Sequence, residues 1–96
     1  MIDSFGDELT ESIFTGTENK KVFRFPPEIR KIAKRKLDMI EFATTLQDLK
    51  VPPANRLEKL KGDWKDFYSI RINDQWRIVF KWEQDRAFNV QIVDYH

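Results

Sequence analysis

Cysteine is absent from this 96-residue chain. That excludes disulfide scaffolds, thiol catalysis and cysteine-based metal sites, and it suits a reducing compartment such as the cytoplasm. Histidine occurs once, as the last residue, so no cluster at metal-ligand spacing can be drawn and no metal is expected. The three glycines, Gly6, Gly16 and Gly62, are scattered, which leaves no glycine-rich phosphate loop. No window approaches the ~20 apolar residues of a membrane span. Met1 to Phe14 is acidic and has no long apolar run, so no secretory signal is expected.

What remains is enough for one domain spanning residues 1–96. Hydrophobic residues make up 41% of the chain, with eight Phe and three Trp, so a real core is available despite the short length. The charged share is 34%, but the aromatics argue against disorder. Net charge is only +1, unevenly spread. Five acids and no base occupy Met1 to Asn19: Asp3, Asp7, Glu8, Glu11 and Glu18. From Lys20 to Lys36 there are eight bases (Lys20, Lys21, Arg24, Arg30, Lys31, Lys34, Arg35 and Lys36) against Glu28 alone. Such asymmetry points either to an anionic partner, nucleic acid being the commonest, or to a solvated helix face.

Along the chain, Met1 to Phe5 reads as an edge strand. Asp7 to Phe14 reads as a helix with its acids near the positive end and Gly16 as its stop. Thr17 to Phe25 shows no period and is expected to be a mobile basic loop. Pro26-Pro27 opens the surest element, a helix over residues 27–44 in which Ile29, Ile32, Ala33, Leu37, Ile40 and Ala43 recur at helical spacing. Its other face carries Arg30, Lys31, Lys34 and Arg35. Leu46 and Leu49 imply one more turn before Val51-Pro52-Pro53 ends helical structure.

The remainder reads as an antiparallel meander: a short strand or extended entry at Leu57–Leu60, a turn at Lys61-Gly62-Asp63, and strands at 66–72, 75–82 and 87–93. A three-residue loop, Asn73-Asp74-Gln75, sets Ile72 against Trp76, Ile70 against Ile78 and Tyr68 against Phe80. One face is then wholly apolar, and Arg71 opposes Arg77 on the other. A two-residue loop would mix the faces, and register follows the buried face. Like charges directly opposed are unfavourable, so two arginines on an exposed face are expected to bind an anion. The fold class is α+β, with two N-terminal helices packed on one face of a small antiparallel sheet.

Several polar residues in the last forty suit phosphate chemistry. Arg77, between Trp76 and Ile78, is either a structural arginine or a bidentate phosphate ligand. Lys61 precedes Gly62, where backbone can approach a ligand closely. Asp94, Tyr95 and His96 read either as a frayed polar end or as proton-handling groups. A triad of Ser69, His96 and Asp94 has no nucleophile-elbow context. Together these types support RNA cleavage by attack of a 2′-hydroxyl on its own phosphate. That needs a base, cations for the phosphorane charge and an acid for the leaving 5′-oxygen, but no metal or cofactor.

The stretches Arg56-Leu57-Glu58-Lys59-Leu60-Lys61-Gly62-Asp63, Tyr68 to Ile78 with its Asn-Asp-Gln-Trp-Arg core, and the closing Val93-Asp94-Tyr95-His96 resemble the HigB branch of the RelE/ParE toxin superfamily. The resemblance covers nearly the whole chain. It implies a RelE-like microbial ribonuclease fold and a bacterial type II toxin that cleaves mRNA in the ribosomal A site. It also implies a HigA-like helix-turn-helix antitoxin, through which alone operator DNA would be contacted. Position by position, Lys61, Arg77, Asp94, Tyr95 and His96 match the family's active-site elements, with Arg71 secondary. The basic residues Lys20, Lys21, Arg24, Arg30, Lys31, Lys34 and Arg35 are expected to hold ribosomal RNA. Glu58 stands where many HigB toxins have a histidine, so either Glu58 or His96 takes the acid/base task, or catalysis is weaker. Two other readings stay open: a ParE-like gyrase inhibitor, and a non-catalytic RNA- or ribosome-binding module.

Overall fold

The computed structural model describes residues 1–94. Helix α1, Glu8–Thr15, starts where the Asp7 side chain accepts the Thr10 amide at 2.8 Å. It stops at Gly16, whose φ of 78° is a left-handed conformation that glycine takes without a side-chain clash. Residues 17–25 are not a loop throughout, as the missing period implied. Asn19 caps a short helix α2, Lys20–Phe23, by accepting the Val22 amide at 2.9 Å. Val22 and Phe25 are drawn into the core, which orders the segment between them.

Helix α3, Pro27–Phe42, buries Ala33, Leu37 and Ile40 completely. It ends two residues before the expected Thr44. A 3₁₀ turn, Leu46–Lys50, follows. Asp48 caps that turn, and the amides of Thr45 and Thr44 that it accepts hold its carboxyl below the usual carboxylate range.

The sheet runs β1 (Glu58–Lys59), β2 (Tyr68–Arg71), β3 (Trp76–Glu83) and β4 (Arg86–Asp94), in that spatial order and antiparallel throughout. The loop of Asn73, Asp74 and Gln75 sets the expected register: Tyr68 faces Phe80, Ile70 faces Ile78 and Arg71 faces Arg77. The Asn73 side chain fixes the loop by accepting the amides of Gln75 (2.9 Å) and Trp76 (2.7 Å). The N-terminal residues pair in parallel along β4, through Ile2–Ala87 and Phe5–Val90. They cover an edge that would otherwise expose unpaired backbone. A one-residue bulge between Val79 and Lys81, with Asn89 at φ 52°, keeps Val90 and Ile92 facing the core.

The main core joins the helices to the face bearing Ile70, Ile72, Ile78, Phe80, Val90 and Ile92. Thr10, fully buried on α1, accepts the Ile92 amide at 2.9 Å and so ties helix to sheet. The opposite face is also covered. Val79 and Leu60 are buried outside the main cluster, and Trp64 packs edge-on against Phe67 at 5.0 Å between centroids.

Candidate functional site

Arg77 departs most from the sequence reading. It lies on the face away from the helices, as expected, but it is not exposed there: its residue is only 9% accessible. The segment at residues 56–60, remote in sequence, folds over it. One terminal nitrogen donates to Ser69 Oγ at 2.7 Å and to the Arg56 carbonyl at 3.4 Å. The other donates to Glu58 Oε1 at 3.2 Å. Arg56 can offer its carbonyl because it closes the 3₁₀ turn Pro53–Asn55 in a left-handed conformation, φ 46°.

This arrangement corrects the reading of the arginine pair. Arg71 and Arg77 are register partners, but each has a carboxylate of its own: Asp74 bonds Arg71, and Glu58 bonds Arg77. No outside anion is needed to explain their juxtaposition. Glu58 is half-exposed (49% of its side chain) while the Arg77 side chain is 10% exposed. The carboxylate is therefore the more easily displaced partner.

The other sequence-derived residues are only partly brought together. Register sets Arg77 opposite Val93 and Trp76 opposite Asp94. Because strand residues alternate faces, Asp94 lies on the side of Trp76 and not beside the Arg77 guanidinium. Its carboxylate accepts from Gln75 Nε2 at 3.1 Å. Lys61 is exposed and lies beyond the far end of β2. Tyr95 and His96 lie outside the described residues.

The basic residues form a separate surface on α2 and α3, across the sheet from Arg77. Lys20, Arg24, Lys31 and Arg35 are exposed. Lys21 pairs with Glu8 at 3.4 Å. Arg30 and Lys34 are half-buried, each over an aromatic ring: Phe23 at 5.4 Å and Phe14 at 4.8 Å.

Sequence reasoning weighed Ser69 only as a nucleophile and not as an acceptor for Arg77, and gave no structural role to Asn55 or Lys36. Lys36 is 6% exposed and donates to Asn55 Oδ1. Asn55 in turn donates to the Leu49 carbonyl at 3.2 Å. Burial, and then the charges of Arg35 and Arg71, push the Lys36 amine below its usual pKa. Its spacing held the signal, since Lys36 lies three residues after Ala33 and four before Ile40, on the apolar stripe of α3.

Residues 3–96 match the family described as HigB-like toxin, the RelE-like toxin of the type II toxin-antitoxin system HigB. The chain is 34% identical to Toxin HigB-1 of Vibrio cholerae serotype O1 over 92 residues, covering 96% of this chain and 95% of the relative. It is 33% identical to Endoribonuclease HigB of Proteus vulgaris over 61 residues, covering 64% and 65%. Its fold matches a chain of the heterotetrameric YoeB-YefM toxin-antitoxin complex of Staphylococcus aureus, with a TM-score of 0.61 at 17% identity, covering 100% of this chain and 98% of that one.

Proposed function

The chain belongs to the HigB-like family of RelE-like toxins of type II toxin-antitoxin systems, and on that premise we propose that it is a ribosome-dependent endoribonuclease that cleaves mRNA in the ribosomal A site. The observation that carries this reading is the Arg77 guanidinium. It is buried, oriented by Ser69 Oγ and the Arg56 carbonyl, and paired with a half-exposed carboxylate that a phosphate can replace. A guanidinium fixed in this way needs no reorganisation when phosphorane charge develops. The printed name of the Proteus relative supports the ribonuclease assignment.

In the proposed reaction a base takes the proton of the 2′-hydroxyl. The 2′-oxygen attacks the adjacent phosphorus, and the P–O5′ bond breaks as an acid protonates the departing 5′-oxygen. The products are a 2′,3′-cyclic phosphate and a 5′-hydroxyl, and no metal takes part. Arg77, with Arg71, holds the phosphate oxygens. Glu58 holds Arg77 in the free protein and yields to the phosphate. His96 and Asp94 carry the protons, with Asp94 approaching the phosphate from the Trp76 side of β3, and Tyr95 positions or stacks on the RNA. Lys61 joins Arg77 and Arg71 in stabilising the phosphate charge. Lys20, Lys21, Arg24, Lys31 and Arg35 lie on ribosomal RNA, where exposed cations release counterions.

The protein partner is an antitoxin, supported by the toxin-antitoxin complex that shares the fold. We assign it to the HigA-like helix-turn-helix type, which alone would touch operator DNA. The place of action is the cytoplasm, where ribosomes are; among the described residues no helix is long and apolar enough to cross a membrane.

Induced expression followed by mapping of mRNA 5′ ends tests the reading. Growth arrest with new in-frame breaks inside coding sequences is expected. Arrest without such breaks, accompanied by DNA damage, would show a gyrase poison instead.

A further inference from the structure

A concave site lies on the helical side of the molecule, across the sheet from Arg77. It is a cleft of about 250 Å³ between α1, α2 and the start of α3. Its base is apolar, formed by the buried Ile13 and Val22. Arg30, Lys31 and Lys34 line it together with one carboxylate, Glu18. Lys34 is already engaged with Asp38 at 2.6 Å, so the available positive charge is concentrated on Arg30 and Lys31.

Arg30 also shows an anomaly. Its Nε–H is buried and has no hydrogen-bond acceptor among the described residues. Native proteins rarely leave a buried donor unpaired. The guanidinium lies over the Phe23 ring, and Phe23 as a residue is 58% exposed, an unusual state for a large aromatic. Phe23 lies outside the core cluster, and the docking proposed below displaces it to reach the guanidinium edge that carries the unpaired donor.

We propose that this cleft is the docking site for an acidic segment of a protein partner. One aliphatic or aromatic side chain of that segment fills the space over Ile13 and Val22. A neighbouring carboxylate takes the Nε–H and Nη–H edge of Arg30 as a bidentate pair. Lys31 adds a second, exposed charge at the mouth. The proposal rests on the reading of the chain as a toxin with a protein antitoxin, and it assigns the segment to that antitoxin.

The shape of the cleft favours a peptide over RNA. The cleft is concave and apolar at its base, whereas a phosphodiester backbone follows an open, continuous track of cations. The volume of the cleft is also below the ~300–1,000 Å³ of small-molecule sites, and suits one anchoring side chain.

The test is a two-dimensional ¹H–¹⁵N titration of the isolated chain, followed at the Arg30 Nε–H resonance. Three probes are used: a capped tetrapeptide Glu-Leu-Asp-Glu, its uncharged counterpart Gln-Leu-Asn-Gln, and pentauridylate. The acidic peptide is expected to move the resonance and to half-saturate at ~10-fold lower concentration than the uncharged one, the usual worth of a charge-assisted pair. Lys31→Glu, at an exposed position that does not threaten folding, should weaken the acidic peptide by a further several-fold. Equal binding by the uncharged peptide, no movement with any probe, or movement by pentauridylate at lower concentration than by the acidic peptide would each overturn the proposal. The titration uses no ribosome. A chain that binds the peptide but never cleaves RNA sinks the toxin reading alone. A chain that cleaves RNA but ignores the peptide sinks the cleft alone.

Discussion

Glu58 on β1 and Arg77 on β3 meet at 3.2 Å although β2 runs between their strands. The pair reaches over Ser69, which faces Glu58 in the sheet register and accepts from the same guanidinium at 2.7 Å. Arg77 is thus held by groups from two neighbouring segments before any RNA arrives.

Arg77→Ala should lower ribosome-dependent cleavage by ~10²-fold or more, the usual loss when one transition-state contact is removed. Arg77→Lys keeps the charge but not the planar fork, so it should recover only a small part of the rate. Single-turnover cleavage of ribosome-bound mRNA by the two variants measures both effects.

Glu58→Gln separates two roles for the carboxylate. A residue that merely occupies Arg77 until phosphate displaces it can lose its charge without harm to the chemical step. RNA should then bind several-fold tighter at low salt, because one negative charge has been removed from the site, with the cleavage rate unchanged within about threefold. A rate loss of ~10²-fold with a missing limb in the pH profile would instead make Glu58 a proton carrier.

Lys36 should leave a signature in the pH dependence of stability. Its folded pKa lies below its unfolded value because burial disfavours the charged amine. Between the two values the unfolded chain binds the extra proton, so stability rises with pH through that window up to the ordinary lysine range. Lys36→Met removes this rise. The difference in denaturation midpoint between the two proteins should therefore grow in favour of the wild type from pH 7 toward pH ~10.5. A difference that stays flat would mean that the amine is not perturbed.

Asn73→Ala removes the acceptor for the amides of Gln75 and Trp76. Each such bond contributes about 0.5–1.5 kcal/mol net. For a domain of this size a melting temperature lower by roughly 4–12 °C is expected. Calorimetry checks the value, and an unchanged melting temperature would remove the turn from the account of register.

The parts of the fold legible in the sequence are those fixed by local periodicity. Helix α3 announces itself by the spacing of Ala33, Leu37 and Ile40. The β2–β3 register follows from the alternation of Tyr68, Ile70 and Ile72 against Trp76, Ile78 and Phe80. Helix α2 was not legible, because four residues carry no period and their order comes from the Asn19 cap and the burial of Val22 and Phe25.

The candidate site was half legible. Arg77 stood out as a charge in an apolar strand. That it would be covered depended on Arg56 and Glu58, contacts across some twenty residues that strand alternation does not reveal. Alternation did hold the information that Asp94 and Arg77 face opposite ways, once the β3–β4 register was known.

The most direct test of the central claim is primer extension on mRNA bound to purified ribosomes, with and without the purified chain. A single cut within the A-site codon is predicted. It should depend on the ribosome and disappear when the nucleotide before the scissile bond lacks its 2′-hydroxyl. Cleavage of the 2′-deoxy substrate, cleavage of naked RNA at equal rate, or no cleavage on the ribosome would contradict the account.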